Sequence, residues 1–283
     1  TLLAAAALAI GWGDAARALS EERRFSDFAI DNWTVADGLP QVAVQTLAQD
    51  GDGYLWVGTQ ASIARFDGVR FEAFDRRGID TAMSEMGMTA RDGDAWFALR
   101  QGALRLRRDD ARLFAAAGTP VAVQAIAEWP SGQMLFGTAR GLHELEGDAL
   151  VPAGLDGVDV GALLDAGPVL WIGTPGRLIR REGGQTRAIE LPGAGDLRIT
   201  HLLKSGDMLW IGTPRGLWSM VGDAVPTPYA VADELARLPI EALCKDSGGS
   251  VWISTVPRLF RRLPNGRTDV IDEGQFVRWL RSW

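Results

Sequence analysis

The chain has 283 residues, 47% of them apolar and 23% charged, with 34 Gly and 11 Trp, a make-up that excludes a disordered or fibrous protein and fits a folded one rich in turns and large packing side chains. A formal net charge of −7 argues against nucleic acid as a general partner, because phosphate binding needs an excess or a cluster of Lys and Arg. The single cysteine, Cys244, rules out an intrachain disulfide and a Cys-built zinc site, and its mostly apolar flank Ile240–Leu243 reads as that of a small buried hydrophobe.

In chain order, Leu2–Trp12 is apolar and Ala-rich but shorter than the ~20 residues a membrane span needs. Ala16-Arg17-Ala18 has the small-x-small pattern of a signal peptidase site, so residues 1–18 read as the end of a secretory signal peptide and predict export. An Ala-rich surface helix is the competing reading, which Gly11 and Gly13 weaken. Asp27–Thr34 reads as a lone outer strand. Next comes a unit of four strands joined by hairpins: Val42–Gln49, the turn Asp50-Gly51-Asp52-Gly53, Tyr54–Thr59, Ile63–Phe66, the turn Asp67-Gly68 and Val69–Asp75.

That unit recurs. Leu55-Trp56-Val57-Gly58-Thr59 returns as Leu170-Trp171-Ile172-Gly173-Thr174 and Leu209-Trp210-Ile211-Gly212-Thr213, with weaker copies at Trp96-Phe97-Ala98, Leu135-Phe136-Gly137-Thr138 and Trp252-Ile253-Ser254-Thr255. Aligned on the Trp position these fall at 56, 96, 135, 171, 210 and 252, steps of 36 to 42 residues. Four short antiparallel strands per ~40 residues is the period of a propeller blade. Paired-helix solenoids share the period, but the strand-like alternation and Gly density exclude them. Asp233–Leu238 reads as one helical turn, and Gln275–Trp283 as the opening strand of another blade. The expectation is an all-β β-propeller of four-stranded antiparallel blades filling residues 19–283, with six complete blades and a seventh shared between the N-terminal strand and residues beyond 283, which removes the open sheet edge. A closed six-bladed ring is the alternative.

Along Leu55–Gly58 both strand faces are apolar, so each blade needs a neighbour on either side. Burying one indole of ~150–250 Å² is worth about 4–6 kcal/mol gross. Trp56, Trp96, Phe136, Trp171, Trp210 and Trp252 are therefore the expected blade anchors, with Gly58, Gly173 and Gly212 permitting close approach beside the rings.

Taken together, Asp37-Gly38-Leu39-Pro40, Val44–Asp50, Gly53–Thr59 and Ile63–Gly68 resemble the two-component regulator propeller repeat, and the spacing recurs to about Ile271. Blade 2, with Ala98 and Leu99 for the Gly-Thr pair, and blade 3, without Trp, depart from it. The resemblance implies a periplasmic sensor module ahead of a membrane helix and a cytoplasmic output domain, a histidine kinase or diguanylate cyclase, in a receptor that can be a homodimer. It carries no ligand over, since the repeat motif is structural.

Catalytic signals are thin. His143 and His201 are the only histidines and lack a second His for a metal set or nucleophile–base pair. Asp50-Gly51-Asp52-Gly53 lacks the later ligands of a calcium loop and reads as a hairpin turn, with Asp246-Ser247-Gly248-Gly249 in the same place. No metal and no cofactor are expected. The turns after the Trp strands carry Arg100, Arg140, Arg177, Arg215 and Arg258, with Gln60 in the first blade. These predict a ring around one channel mouth, suited to a small anionic sugar such as a uronate, or an organic acid. The expected function is a non-catalytic ligand sensor. An exported protein-interaction propeller and a propeller enzyme, such as a lyase or glycan hydrolase, are the alternatives.

Overall fold

A computed structural model describes residues 33–272 except 76–77, 82–85, 108–109, 119, 230–234 and 257. The expected leader, strand residues 27–32 and the strand at Gln275–Trp283 lie outside the described residues, as does the start of the expected helical turn; residues 235–237 form a turn. Blade 1 is β1 (Val44–Gln49), β2 (Leu55–Thr59), β3 (Ile63–Phe66) and β4 (Phe71–Ala73). Blade 2 is β5 (Met86–Thr89), β6 (Ala95–Leu99), β7 (Gly102–Arg107) and β8 (Asp110–Ala116), and blade 3 is β9 (Val123–Glu128), β10 (Met134–Thr138), β11 (Gly141–Glu146) and β12 (Ala149–Pro152). Blade 4 comprises β13 (Ala162–Ala166), β14 (Val169–Thr174), β15 (Arg177–Glu182) and β16 (Gln185–Glu190). Blade 5 has β17 (His201–Ser205), β18 (Met208–Thr213), β19 (Gly216–Val221) and β20 (Thr227–Pro228); blade 6 has β21 (Ala242–Lys245), β22 (Val251–Ser254), β23 (Arg258–Arg262) and β24 (Thr268–Asp272).

Each blade is an antiparallel meander in chain order, as two-to-five-residue turns between short strands dictate. The first strands of successive blades lie side by side and form the innermost layer of a propeller. Ahead of β1, the Asp37-Gly38-Leu39 run closes a single 3₁₀ turn, Val35–Asp37. The Thr34 hydroxyl accepts from Ala36 N–H, and the Asp37 carboxylate accepts from Thr34 N–H at 2.7 Å. Gly38 then takes φ +93°, where a Cβ would meet the Phe71 carbonyl oxygen at 2.8 Å, so both the conformation and the space demand glycine.

The blades stack with a fixed polarity. One face of each second strand carries the Trp position and the other an aliphatic or Phe residue, and the Trp face of each blade packs on the other face of the next. Trp56 meets Phe97 and Leu104, Trp96 meets Phe136 and Ile126, Trp171 meets Ile211 and Leu209, and Trp210 meets Ile253 and Phe260. In blade 3 the register pairs Leu135 with Glu144 and Phe136 with His143. Leu135, not Phe136, therefore occupies the Trp position, and it packs on Ile172. Phe136 faces the opposite way, against Trp96 at a ring separation of 5.9 Å. The expectation that Phe136 anchors blade 3 fails by one residue, and one residue reverses the face of a strand.

In blades 4 and 5 the Gly of the Trp segment also has a different neighbour from the one expected. Gly137, Gly173 and Gly212 make room for the residue that leads into the next blade, not for an indole. A Cβ at Gly173 would come within 2.6 Å of Ile199 Cγ2, one at Gly212 within 2.9 Å of Ile240 Cγ2, and one at Gly137 within 2.8 Å of Val160 Cγ1. The following Thr ends the strand. Its hydroxyl donates to the carbonyl three residues on, at 2.7–3.0 Å, in blades 1, 3, 4, 5 and 6.

Two faces have no partner blade among the described residues: the Trp252 face of blade 6 and the Leu47–Val57 face of blade 1. Val44 and Leu47 are 45% and 53% exposed, whereas most of β9, in the interior of the array, is buried. The outer part of the blade 1 face is covered by Trp33, whose ring stands edge-on to Phe66 at 4.7 Å and Phe71 at 5.8 Å. Trp210, 1% exposed inside the blade 5–6 interface, should cost about 3–5 kcal/mol when truncated in Trp210→Ala. Trp252→Ala, on the half-buried end face, should cost clearly less; urea unfolding of the two variants gives the comparison.

Candidate functional site

The turns between second and third strands open at the end where first strands begin, because β1 pairs Val44 with Thr59 and β17 pairs His201 with Gly212. This leading face is the one expected for the candidate residues, but they do not stand at equivalent positions on it. Counted from the Thr position of each Trp segment, which is Leu99 in blade 2 and Thr255 in blade 6, Gln60 and Arg100 stand one position on, Arg140 and Arg215 two, and Arg177 and Arg258 three. Their turns lie one strand outward from the innermost layer. Arg177 faces outward, its Nε 2.7 Å from Glu190 on the outermost strand of its blade. Gln60, Arg100, Arg140, Arg177 and Arg215 are exposed and Arg258 is half-buried. The equivalence read from the sequence is one of loops, and turn geometry scatters the side chains within it.

A different arginine set is in register. Nine positions after four of the tryptophans stands an Arg on the third strand, directly across from the indole: Arg65 from Trp56, Arg105 from Trp96, Arg180 from Trp171 and Arg261 from Trp252. The Arg65, Arg180 and Arg261 guanidinium carbons lie 5.9, 6.0 and 5.0 Å from the ring centroids, within cation–π range. In blades 1 and 6 the indole N–H also donates to a carboxylate six residues earlier, Trp56 to Asp50 at 2.8 Å and Trp252 to Asp246 at 3.0 Å. The Asp50 and Asp246 turns thus hold the indoles as well as the hairpins, a role the sequence reading missed. Its signal was the constant spacing, Asp six before and Arg nine after the Trp. Blade 2 has Ala90 in place of that Asp. There Asp94 is buried between Arg105 and Arg107, and desolvation raises its pKa above the usual carboxylate value.

Near the axis, polar side chains tie three blades together at each end of the first strands. On the trailing face Arg91 N–H donates to Glu128 at 2.7 Å, while its guanidinium donates to the Trp129 carbonyl at 2.8 Å and to Asp165 at 2.5 Å, linking blades 2, 3 and 4. On the leading face Arg198, in the connection into blade 5, donates to Gln124 of blade 3 at 2.5 Å and lies 3.3 Å from Asp159, which precedes blade 4.

The two histidines are apart. His143 is buried in β11, its Nδ1 3.4 Å from both the Thr138 hydroxyl and the Gly141 carbonyl. His201 opens β17 with Nδ1 2.9 Å from the Thr200 hydroxyl. Burial lowers its pKa to about 4, against the opposing effect of its hydrogen bond to the Glu241 carbonyl. Among the described residues no three His, Cys, Asp or Glu side chains gather as a metal site, and no helix is long and apolar enough to cross a membrane. Cys244 is exposed, a correction to the buried hydrophobe expected: it pairs with Trp252 on the blade 6 face that lacks a neighbour.

Residues 38–61, the core of blade 1, match the family model described as "Two component regulator propeller". That stretch is similar to a regulator propeller repeat. No curated protein matches the chain in sequence. Among solved structures the chain is similar to a streptogramin B lyase, with 15% identity, a TM-score of 0.67 and coverage of 83% of this chain and 84% of that one. It is also similar to virginiamycin B lyase from Staphylococcus aureus, with 15% identity, a TM-score of 0.66 and coverage of 81% and 84%. A weaker likeness, with 14% identity and a TM-score of 0.49, joins it to the extracellular domain of a putative hybrid two component system from B. thetaiotaomicron, over 81% of this chain and 45% of that one. At these identities the lyase likenesses show the propeller fold alone, and the weaker one carries no argument.

His201 sets a pH dependence with a definite sign. The unfolded imidazole takes its proton near the ordinary 6.5 and the folded one only near 4. Stability should therefore be full above pH ~6.5 and fall by about 3 kcal/mol as pH drops toward 4. His201→Gln should flatten that limb, as chemical denaturation across the range will show.

Proposed function

We propose that the chain is the extracytoplasmic, ligand-sensing propeller of a bacterial transmembrane signalling receptor, with no catalytic activity of its own. The observation that carries this reading is the regulator propeller repeat at residues 38–61, set in a fold that repeats the same blade through residue 272. The leader-like residues 1–18 support export, with the periplasm as destination, and an output module of the kinase or cyclase class belongs to the receptor as a whole. Axial faces of a propeller gather loops and strand ends from every blade, so a small molecule bound there contacts several blades at once. Its signal is then the difference between its affinities for two receptor states.

The purified chain is the test object. Screened by thermal shift against sugars, organic acids and short peptides, it should show a rise in melting temperature with at least one compound, growing with concentration as linkage requires. Mass spectrometry of the same mixtures should find that compound unchanged. Turnover would replace the sensor by an enzyme, and a flat screen would remove small-molecule sensing.

A further inference from the structure

The two end faces of the array are open at matching places. On blade 1, Leu47, Val57 and Ala64 stand side by side across three strands. Only Leu47, on the first strand, is exposed, at 53% against 3% and 0% for the other two. On blade 6 the matching row is Cys244, Trp252 and Arg261. Arg261 is buried and Trp252 half-buried, whereas Cys244, again on the first strand, is exposed. Each face therefore lacks its cover next to the axis, where a further first strand would stand.

The interior interfaces show what such a strand brings. Between blades 4 and 5, Leu164, across from Trp171, shares one apolar cluster with Leu202, across from Ile211. Between blades 5 and 6, Leu203, across from Trp210, shares another with Leu243, across from Ile253. A first strand thus offers one apolar residue to the blade before it and the next residue to the blade after it, as alternation along a strand requires.

Leu202-Leu203-Lys204-Ser205 serves blade 5 in this way, and the chain carries the same pattern once more after blade 6, as Trp279-Leu280-Arg281-Ser282. The connection has a matching length. Five residues, 273–277, separate the end of β24 from Arg278, and six, 117–122, carry the chain from β8 to β9, the same crossing from an outermost to an innermost strand. Size fits as well. Cys244 occupies the place of Leu164 and Leu203 and is smaller than either, which leaves room for an indole in place of a leucine.

We propose that residues 278–282 dock as the innermost strand between blades 6 and 1, with Trp279 seated on Cys244 and Trp252 and with Leu280 on Leu47. This gives the strand expected at residues 275–283 a register and named contacts, and it is independent of the sensing reading. A slip by one residue would exchange the two faces, so the register is open to direct measurement.

Cys244 is the only thiol of the chain and reports the contact. In the full chain a maleimide should modify it about tenfold or more slowly than in Trp279→Ser, with Trp279→Phe keeping most of the protection. Oxidation with diamide should join Trp279→Cys to Cys244 within one chain, seen as faster migration on a non-reducing gel. Leu280→Cys, turned toward blade 1, should not form that bond. The disulfide pair decides the matter if Trp279→Ser does not fold. Three results overturn the proposal: equal maleimide rates in the parent chain and a folded Trp279→Ser, a bond to Leu280→Cys in preference to Trp279→Cys, or a Trp279→Cys bond formed only between two chains. The last would give the place to a second copy of the chain.

Discussion

The contact on which the rest of the molecule depends is the seating of one blade's indole face on the aliphatic face of the next. Because the two faces differ, the contact is heterologous, and repeating it turns each blade by a similar amount about a common axis. Blade 3 shows that the rule concerns shape and polarity more than any one residue. Leu135 replaces the indole, and Phe136 on the reverse face supplies the missing bulk to blade 2. Bulk withdrawn from one interface has reappeared at its neighbour, so the array stays continuous.

An indole buried between sheets brings a polar N–H and a broad π-face, and the blade supplies a partner for each. The aspartate of the preceding hairpin takes the N–H in blades 1 and 6, and the third-strand arginine lies over the ring in blades 1, 4 and 6. The Thr clasp fixes the end of the strand, and the Gly before it admits the next blade's leading residue. Each position of the Leu-Trp-x-Gly-Thr segment thus has a separate physical duty. Where a duty is missing the structure shows it: blade 2 has Leu99 in place of the Thr, and the Trp210 N–H in blade 5 has no hydrogen-bond partner.

The repeat, the four strands per unit and their order around the axis were legible in the sequence, because they depend on hydrophobic period and turn composition. Positions that depend on register were less so. Phe136 is the bulkier residue, but the Gly-Thr spacing aligns Leu135 with the Trp position, and it is this register, not side-chain size, that sets which blade each residue faces. The turn arginines looked equivalent because loops align loosely; only the paired strands reveal that they occupy three different positions. The Arg91 and Arg198 clusters join residues 37 to 74 positions apart, and no local pattern announces contacts between separate blades. By contrast the Asp six before the indole in blades 1, 4 and 6 and the Arg nine after it in blades 1, 2, 4 and 6 stand at constant offsets, and a search for polar periodicity alongside the hydrophobic one would have found them.

The outermost strands of blades 2 and 3 are joined as parallel neighbours, β8 to β12, through Ala115 with Ala149 and Ala116 with Leu150. The Arg112–Asp148 ion pair lies beside them. Those two blades therefore share one eight-stranded sheet, while the other four remain separate. In an array whose stability is a sum of units and nearest-neighbour couplings, this stitch makes one coupling stronger than the rest. The fused pair is where such a ring would hold together longest under load, and a fracture opening elsewhere should stop at its border.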